Sequence, residues 1–289
     1  MKISAFLLCF AVIVMSASVG QTAGIQMQTG FSYDWWSDSK DNDAQQFSVP
    51  IRISGSVGDF SATLLTAYTD TRFHPSGSDS VSMGSLLDTK LVTSYQIIGK
   101  LPVDILFGLD FNLPTGTTNL TRRELDLIMD PDLLPINTFG EGFNINPTVT
   151  VVGEWNNWVG GLGFGYLWRG EYDYSTEIGA TDYSPGDIIT INGEVRYFFA
   201  PNLNARLFAG HSWYGKDQIR ERDFYQEGDF TLAGIGANYS PARQWTVDAT
   251  FRGIFRDKSK FLSSSGVLTT ETDNIHGDEW IADLAVRYL

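Results

Sequence analysis

Few residues in the chain are equipped for bond-making chemistry, and their spacing works against it. His211 and Ser212 are neighbours and are the residue types of a base-assisted nucleophile. They sit in a run that alternates like a β-strand, where consecutive side chains leave on opposite faces, so the pair cannot readily meet. His74 and His276 lie in polar connections with no second metal-binding residue at useful spacing. Cys9 is the only cysteine and lies in the amino-terminal apolar run, so the rest of the chain offers no thiolate, disulfide or cysteine metal site. The chain is expected not to be an enzyme and to hold no metal or cofactor.

What it carries instead is charge at alternate positions. Arg52, Asp88, Lys90, Asp104, Asp110, Glu154, Arg169, Glu194, Arg196, Arg206, Asp248, Arg252, Arg256, Glu279, Asp283 and Arg287 all fall on the polar faces of alternating stretches. Both signs are present in equal number. Such a set either fills a narrow interior as a salt-bridge lattice or lines a polar conduit whose charges select solute, and both readings stay open. Pairing about Ala200 is expected to set Glu194 opposite Arg206, with Arg196 on the diagonal.

The elements that carry these charges read as strands. Phe143, Ile145, Pro147, Val149, Val151 and Trp155 share one face of the clearest stretch, with Asn144, Asn146, Thr148, Thr150 and Glu154 on the other. Asn156-Asn157 turns it into a second arm, since Asn tolerates the positive φ of tight hairpins. Each arm reaches the roughly nine to eleven residues that cross a bilayer at a tilt. The same period recurs at Ile25 to Trp35, Phe47 to Ile53, Phe60 to Tyr68, Leu87 to Ile97 and Leu101 to Phe111. After the central hairpin it recurs at Ile189 to Phe199, Leu203 to Tyr214, Phe230 to Tyr239, Trp245 to Phe255 and Trp280 to Leu289. Tight turns follow the even-numbered strands and long polar loops the odd-numbered ones, as in outer-membrane barrels. Trp155, Trp158 and Trp245 flank the tight turns, while Trp35, Trp36, Trp168, Trp213 and Trp280 lie near the other ends, the two interfaces of a bilayer. The expected fold is an all-β, up-and-down antiparallel transmembrane barrel of about twelve strands over residues 24–289.

Residues 1–23 read as a cleaved secretory signal, with Lys2, an apolar run from Ala5 to Met15 and a cut after Gly20 or Ala23. Beyond them no apolar run is long enough for a spanning helix. The net charge is −14, and loss of Lys2 makes it −15, which excludes nucleic-acid binding by a basic surface. The acid gathers in loops, at Asp38, Asp41 and Asp43, at Glu171, Asp173 and Asp182, and at Asp223, Glu227 and Asp229. These read as a solvated outer face, with divalent cations shared with lipopolysaccharide as the functional alternative. Tyr288 is a penultimate aromatic facing outward, one place short of the terminal aromatic that barrel-assembly machinery reads.

The insertion at 113–142 is too long and too apolar for a free loop. Thr121-Arg122-Arg123-Glu124 has the form of a capping box opening a short helix over Leu125, Asp126, Leu127, Ile128 and Met129, ended by Pro131. Leu133 and Leu134 then form an apolar tip before Pro135. The segment is expected to fold into the barrel mouth as a constriction or a hydrophobic entry site, the plainer alternative being a loop packed on the rim without gating.

Two segments, Gly108 to Gly116 (GLDFNLPTG) and Phe139 to Tyr174, together resemble outer-membrane transporters of the FadL-like and phenol-degradation MetA-pathway groups. The resemblance implies uptake of hydrophobic or aromatic compounds. FadL-like proteins have more strands and an amino-terminal hatch, whereas the first strand here starts almost at the expected cleavage site. The functional expectation is passive passage of small solutes by a monomer lodged in outer-membrane lipid and lipopolysaccharide. Two alternatives stand beside it: a sealed structural barrel whose acidic loops bind ligands, and an outer-membrane lipid hydrolase.

Overall fold

The computed structural model describes residues 13–17, 24–129, 134–274 and 277–288, the first of these stretches as backbone alone. The expected cleavage positions, Leu133, His276 and Leu289 lie outside the described residues.

Alternating residues build one antiparallel sheet in which sequence neighbours are spatial neighbours. Its strands are β1 (Gly24–Thr29, continued by Ser32–Ser37), β2 (Asp43–Val57), β3 (Phe60–His74) and β4 (Val81–Leu86, continued by Thr89–Ile97). β5 (Asp104–Leu113), β6 (Asn144–Trp155), β7 (Trp158–Arg169) and β8 (Ile188–Ala200) follow. β9 (Leu203–Tyr214), β10 (Phe230–Ala242), β11 (Trp245–Arg256) and β12 (Glu279–Tyr288) complete the meander. The sheet counts 15 stretches because β1 and β4 are each interrupted once and Ile13–Ala17 pairs with the outer edge of β1. Among the described residues β12 has β11 as its one hydrogen-bonded neighbour.

The first interruption has a cause in the sequence, and the second is a change of register. β1 breaks at Gly30-Phe31, opposite Pro50, which has no N–H to give, and the register is the same on either side. β4 breaks at Leu87-Asp88 with a one-residue shift, since Tyr68 pairs with Leu86 while Leu65 pairs with Lys90. This bulge carries the inward face from Val81, Met83 and Ser85 on to Asp88 and Lys90.

The outer face is a belt of exposed apolar side chains, among them Leu162, Leu207, Ile235 and Leu284. A surface of this extent has a bilayer, not water, as its solvent. Trp35, Trp155, Trp158, Trp168, Trp213, Trp245 and Trp280 all lie on it, exposed. Near the short turns Trp158 packs on Tyr197 and Trp245 on Tyr288, with centroids 4.7 and 5.0 Å apart. Trp36 corrects the expectation: it takes the inward face, half-buried against Phe73 at 6.1 Å.

Several boundaries differ from the sequence reading. β5 begins at Asp104 rather than Leu101, because Pro102 cannot join the ladder and the Asp104 carboxylate accepts the Gly99 N–H at 2.7 Å within the turn. β3 and β4 run well into the expected loop, leaving only residues 75–80 to connect them. The long loops after β7, β9 and β11 are not irregular either. They form a second sheet from Tyr183–Ser184, Lys216–Ile219, Arg222–Gln226, Lys260–Leu262 and Leu268–Thr270.

The tight turn after β6 is where the sequence reading is most exact. Asn156 has φ 54°, a left-handed conformation that asparagine tolerates and β-branched residues do not. Asn156→Val is expected to lower stability by about 1–2 kcal/mol, with Asn156→Gly near neutral, as read from urea unfolding in detergent micelles.

Candidate functional site: the barrel interior and its inward loop

The apolar residues of the 113–142 insertion leave water by packing on the inner wall. Leu120, Leu127 and Phe139 are buried against Val81 and Met83 of β4, with Phe73, Leu87, Leu125 and Ile128 around them. Leu134 is fully buried as well. The capping box forms, with the Thr121 N–H and hydroxyl both donating to Glu124 Oε2 at 2.8 and 2.9 Å, and the turn it opens is a 3₁₀ helix at Glu124–Leu127. The Arg122 N–H donates to Glu177, and the Arg123 guanidinium donates to the carbonyls of Asp79 and Ser80.

Two wall residues hold the loop. Gln46 of β2 donates to the Ile136 carbonyl at 2.7 Å and accepts the Ile136 N–H at 2.9 Å, a two-point clasp of the backbone. Asp88 accepts the Gly116 N–H at 2.8 Å, the Glu141 N–H at 2.6 Å and the Asn112 amide at 2.6 Å. One carboxylate thereby joins both ends of the insertion to β4 and β5. The interior charge Asp88 is a loop fastener, and it is buried. Gln46 escaped the sequence reading because it fell at the margin of an expected loop. The alternation Ala44, Gln46, Ser48 was the available signal.

The wall from β8 to β12 carries a chain of ion pairs. The expected register is corrected here: a shift between Phe198 and Ala200 sets Arg196 opposite Arg206 and Glu194 opposite Phe208. Glu194 therefore takes Arg196 along its own strand, at 2.7 Å. Arg206 reaches across β10 to Asp248 at 3.4 Å and Thr250 at 2.8 Å. It can do so because its partner on β10 is Gly236, where a Cβ would stand 2.6 Å from the guanidinium Nε. Arg252 meets Asp283 at 3.7 Å, and Arg256 meets Glu279 at 3.0 Å. A cavity of about 640 Å³ lies against this wall, lined by Asn192, Glu194, Arg206, Asp248, Arg252 and Asp283 among others. Gly236→Val is expected to eject the Arg206 side chain and cost about 1–3 kcal/mol, as measured by the loss of urea midpoint.

The wall from β1 to β7 is different. Arg52, Lys90 and Arg169 have no carboxylate at ion-pair distance among the described residues. A cavity of about 490 Å³ lies beside Arg52 and Lys90, and one of about 290 Å³ separates Lys90 from loop residues 135–141. Asp110 stands opposite Asn146, Glu154 opposite Val159 and Arg287 opposite Thr246.

At the long-loop end the mouth is aromatic. Tyr183 stacks edge-on with Tyr172 at 5.4 Å and meets Tyr174 at 5.7 Å, and its hydroxyl donates to Asp217. Burial holds the Tyr172 phenol far above its ordinary range, and burial together with the Asp217 carboxylate does the same for Tyr183.

His211 and Ser212 point apart. His211 bonds Thr231 at 2.7 Å beside Trp213 on the outer face, and Ser212 bonds Thr190 at 3.0 Å on the inner one. Among the described residues, no cluster of three or more His, Cys, Asp or Glu is placed to hold a metal ion.

No protein-family model and no curated protein matches the chain. Solved structures do. The COG4313 outer membrane channel from Pseudomonas putida F1 superposes over 94% of this chain and 97% of that one, at 13% identity and a TM-score of 0.51. A FadL homologue from Pseudomonas aeruginosa matches over 96% of this chain and 74% of its own, at 12% identity and a TM-score of 0.49. Likeness at such identity speaks for fold, and the fold is that of an outer-membrane β-barrel.

Proposed function

We propose that the protein is an outer-membrane channel for passive passage of small solutes, with the 113–142 segment as its constriction. The observation that carries this reading is the fastening of an apolar loop inside the barrel by Gln46 and Asp88, with one cavity against the loop and a larger one beside Arg52 and Lys90. Fixed hydrogen bonds to a loop's backbone are what a stable constriction needs. The charges of the interior balance although the chain is strongly acidic, which suits passage better than a single-sign field would. Apolar or aromatic solutes fit the tyrosine-lined mouth. The partners of this reading are outer-membrane lipid, lipopolysaccharide and the assembly machinery, and the acting unit is a monomer without catalysis.

A sealed structural barrel is the second reading, favoured by the Glu194–Arg196, Arg206–Asp248 and Arg252–Asp283 pairs that occupy one wall. Planar-bilayer conductance of refolded protein, with and without residues 115–140, separates the two. Steady current that rises on deletion supports the channel, and silence in both forms sinks it.

A further inference from the structure

Strands β1 to β7 bring seven inward side chains to one level. Gln28 pairs with Arg52, Arg52 with Leu65 and Leu65 with Lys90. The row continues from Lys90 to Asn112, Asn144 and Arg169. It holds three cations, three amides and Leu65, and no carboxylate. Adjacent strands lie about 4.8 Å apart, so Arg52 and Lys90 stand about 10 Å apart at the backbone, within reach of one small group between their long side chains. The nearest acid along β4, Asp88, has its oxygens committed to Gly116, Glu141 and Asn112. On the facing wall every inward arginine from β8 to β11 has its acid. Although the chain has an excess of carboxylates, none among the described residues stands at ion-pair distance from these cations.

Arg52 and Lys90 both line the 490 Å³ cavity, together with Pro50, Leu65, Ala67, Leu87 and Asp88, whose carboxylate is taken up by Gly116, Glu141 and Asn112. That volume lies within the range of about 300–1,000 Å³ usual for small-molecule sites. Two cations flanking Leu65, with Pro50, Ala67 and Leu87 in the same lining, describe the complement of an anionic group on a compact apolar body. We propose that this chamber binds a small monoanionic solute of that kind, its anionic group held between Arg52 and Lys90 and its body against Leu65 and Leu87. The inference rests on the reading of the barrel as a solute channel and names the class of solute.

Benzoate and benzyl alcohol share a ring and differ in charge, which makes them the probes. Calorimetric titration of the refolded full-length barrel in detergent is expected to show benzoate binding at least about tenfold tighter than benzyl alcohol. The Arg52→Gln/Lys90→Gln double variant is expected to lose that preference, and added salt to weaken wild-type binding. Lys100→Gln, at a short turn, controls for net charge and is expected to bind as wild type. Circular dichroism and heat-modified gel migration establish that the variants are folded. Equal affinity for the two probes, no heat with millimolar benzoate, or unchanged benzoate affinity in the double variant overturns the proposal. Conductance on the same samples is read separately: current without charge preference leaves a channel lacking this site, and benzoate binding without current keeps the site and removes the channel.

Discussion

Asp88→Ala is expected to open the barrel. The substitution removes three hydrogen bonds to one carboxylate, from Gly116, Glu141 and Asn112. Bonds to a charged group contribute about 1.5–3 kcal/mol each, and leaving two loop N–H groups without a buried partner adds to the loss. A total of several kcal/mol is enough to move a two-state loop from almost always in to often out. Single-channel conductance should therefore rise several-fold, with frequent gating where the wild type is steady. Limited proteolysis should newly cut within 113–142. Gln46→Ala, which removes the clasp on Ile136, should act in the same direction and more weakly, because its bonds are uncharged. An Asp88→Ala barrel with wild-type current and a wild-type digestion pattern would falsify the loop's role as the constriction.

Leu162→Arg is expected to be the most destabilising single change on the outer wall. Leu162 is 59% exposed near the middle of β7, between Trp158 and Trp168. In water such a leucine would be an unremarkable surface residue; at the centre of a bilayer an arginine in its place costs about 2–4 kcal/mol. Thr150→Arg on the adjacent strand faces the 640 Å³ cavity and should stay within about 1 kcal/mol of wild type. Urea unfolding in phospholipid vesicles measures both. Equal losses at the two positions would mean that the sheet's faces are assigned the wrong way round.

The barrel was legible because its warrant is local. Period-two alternation and the Asn156-Asn157 turn need no knowledge of partners, and both stand as read. The capping box at Thr121 and Glu124 was legible for the same reason. What escaped depends on pairing. The expected pairing of Glu194 with Arg206 was two residues out of register, since Arg206 stands opposite Arg196, and no periodicity within either strand fixes the register between them. The bulge at Leu87-Asp88 hid in the same way, and with it the delivery of Asp88 to the loop. The outer sheet was missed because its strands are two to five residues long, too short for alternation to stand out from a polar loop. That Arg52 and Lys90 have no carboxylate at ion-pair distance among the described residues depends on strand pairing across the whole wall, which no single stretch of sequence displays.

The glycines under Arg206 and Phe208 bear on how this sheet finds its alignment. Alternation forbids a slip of one residue between β9 and β10, since that would turn every apolar side chain inward. It is blind to a slip of two, which keeps every face correct. Gly236 lies opposite Arg206 and Gly234 opposite Phe208, and a Cβ at either would stand 2.6 or 2.5 Å from the side chain above. Sliding β10 by two in one direction would thrust Asn238 beneath Arg206, and in the other Leu232 beneath Phe208. Asn192 over Gly163 repeats the device between β7 and β8. Paired notches of this kind act as a keyed fit between neighbouring staves, rejecting the even-numbered misalignments that hydrophobicity alone accepts.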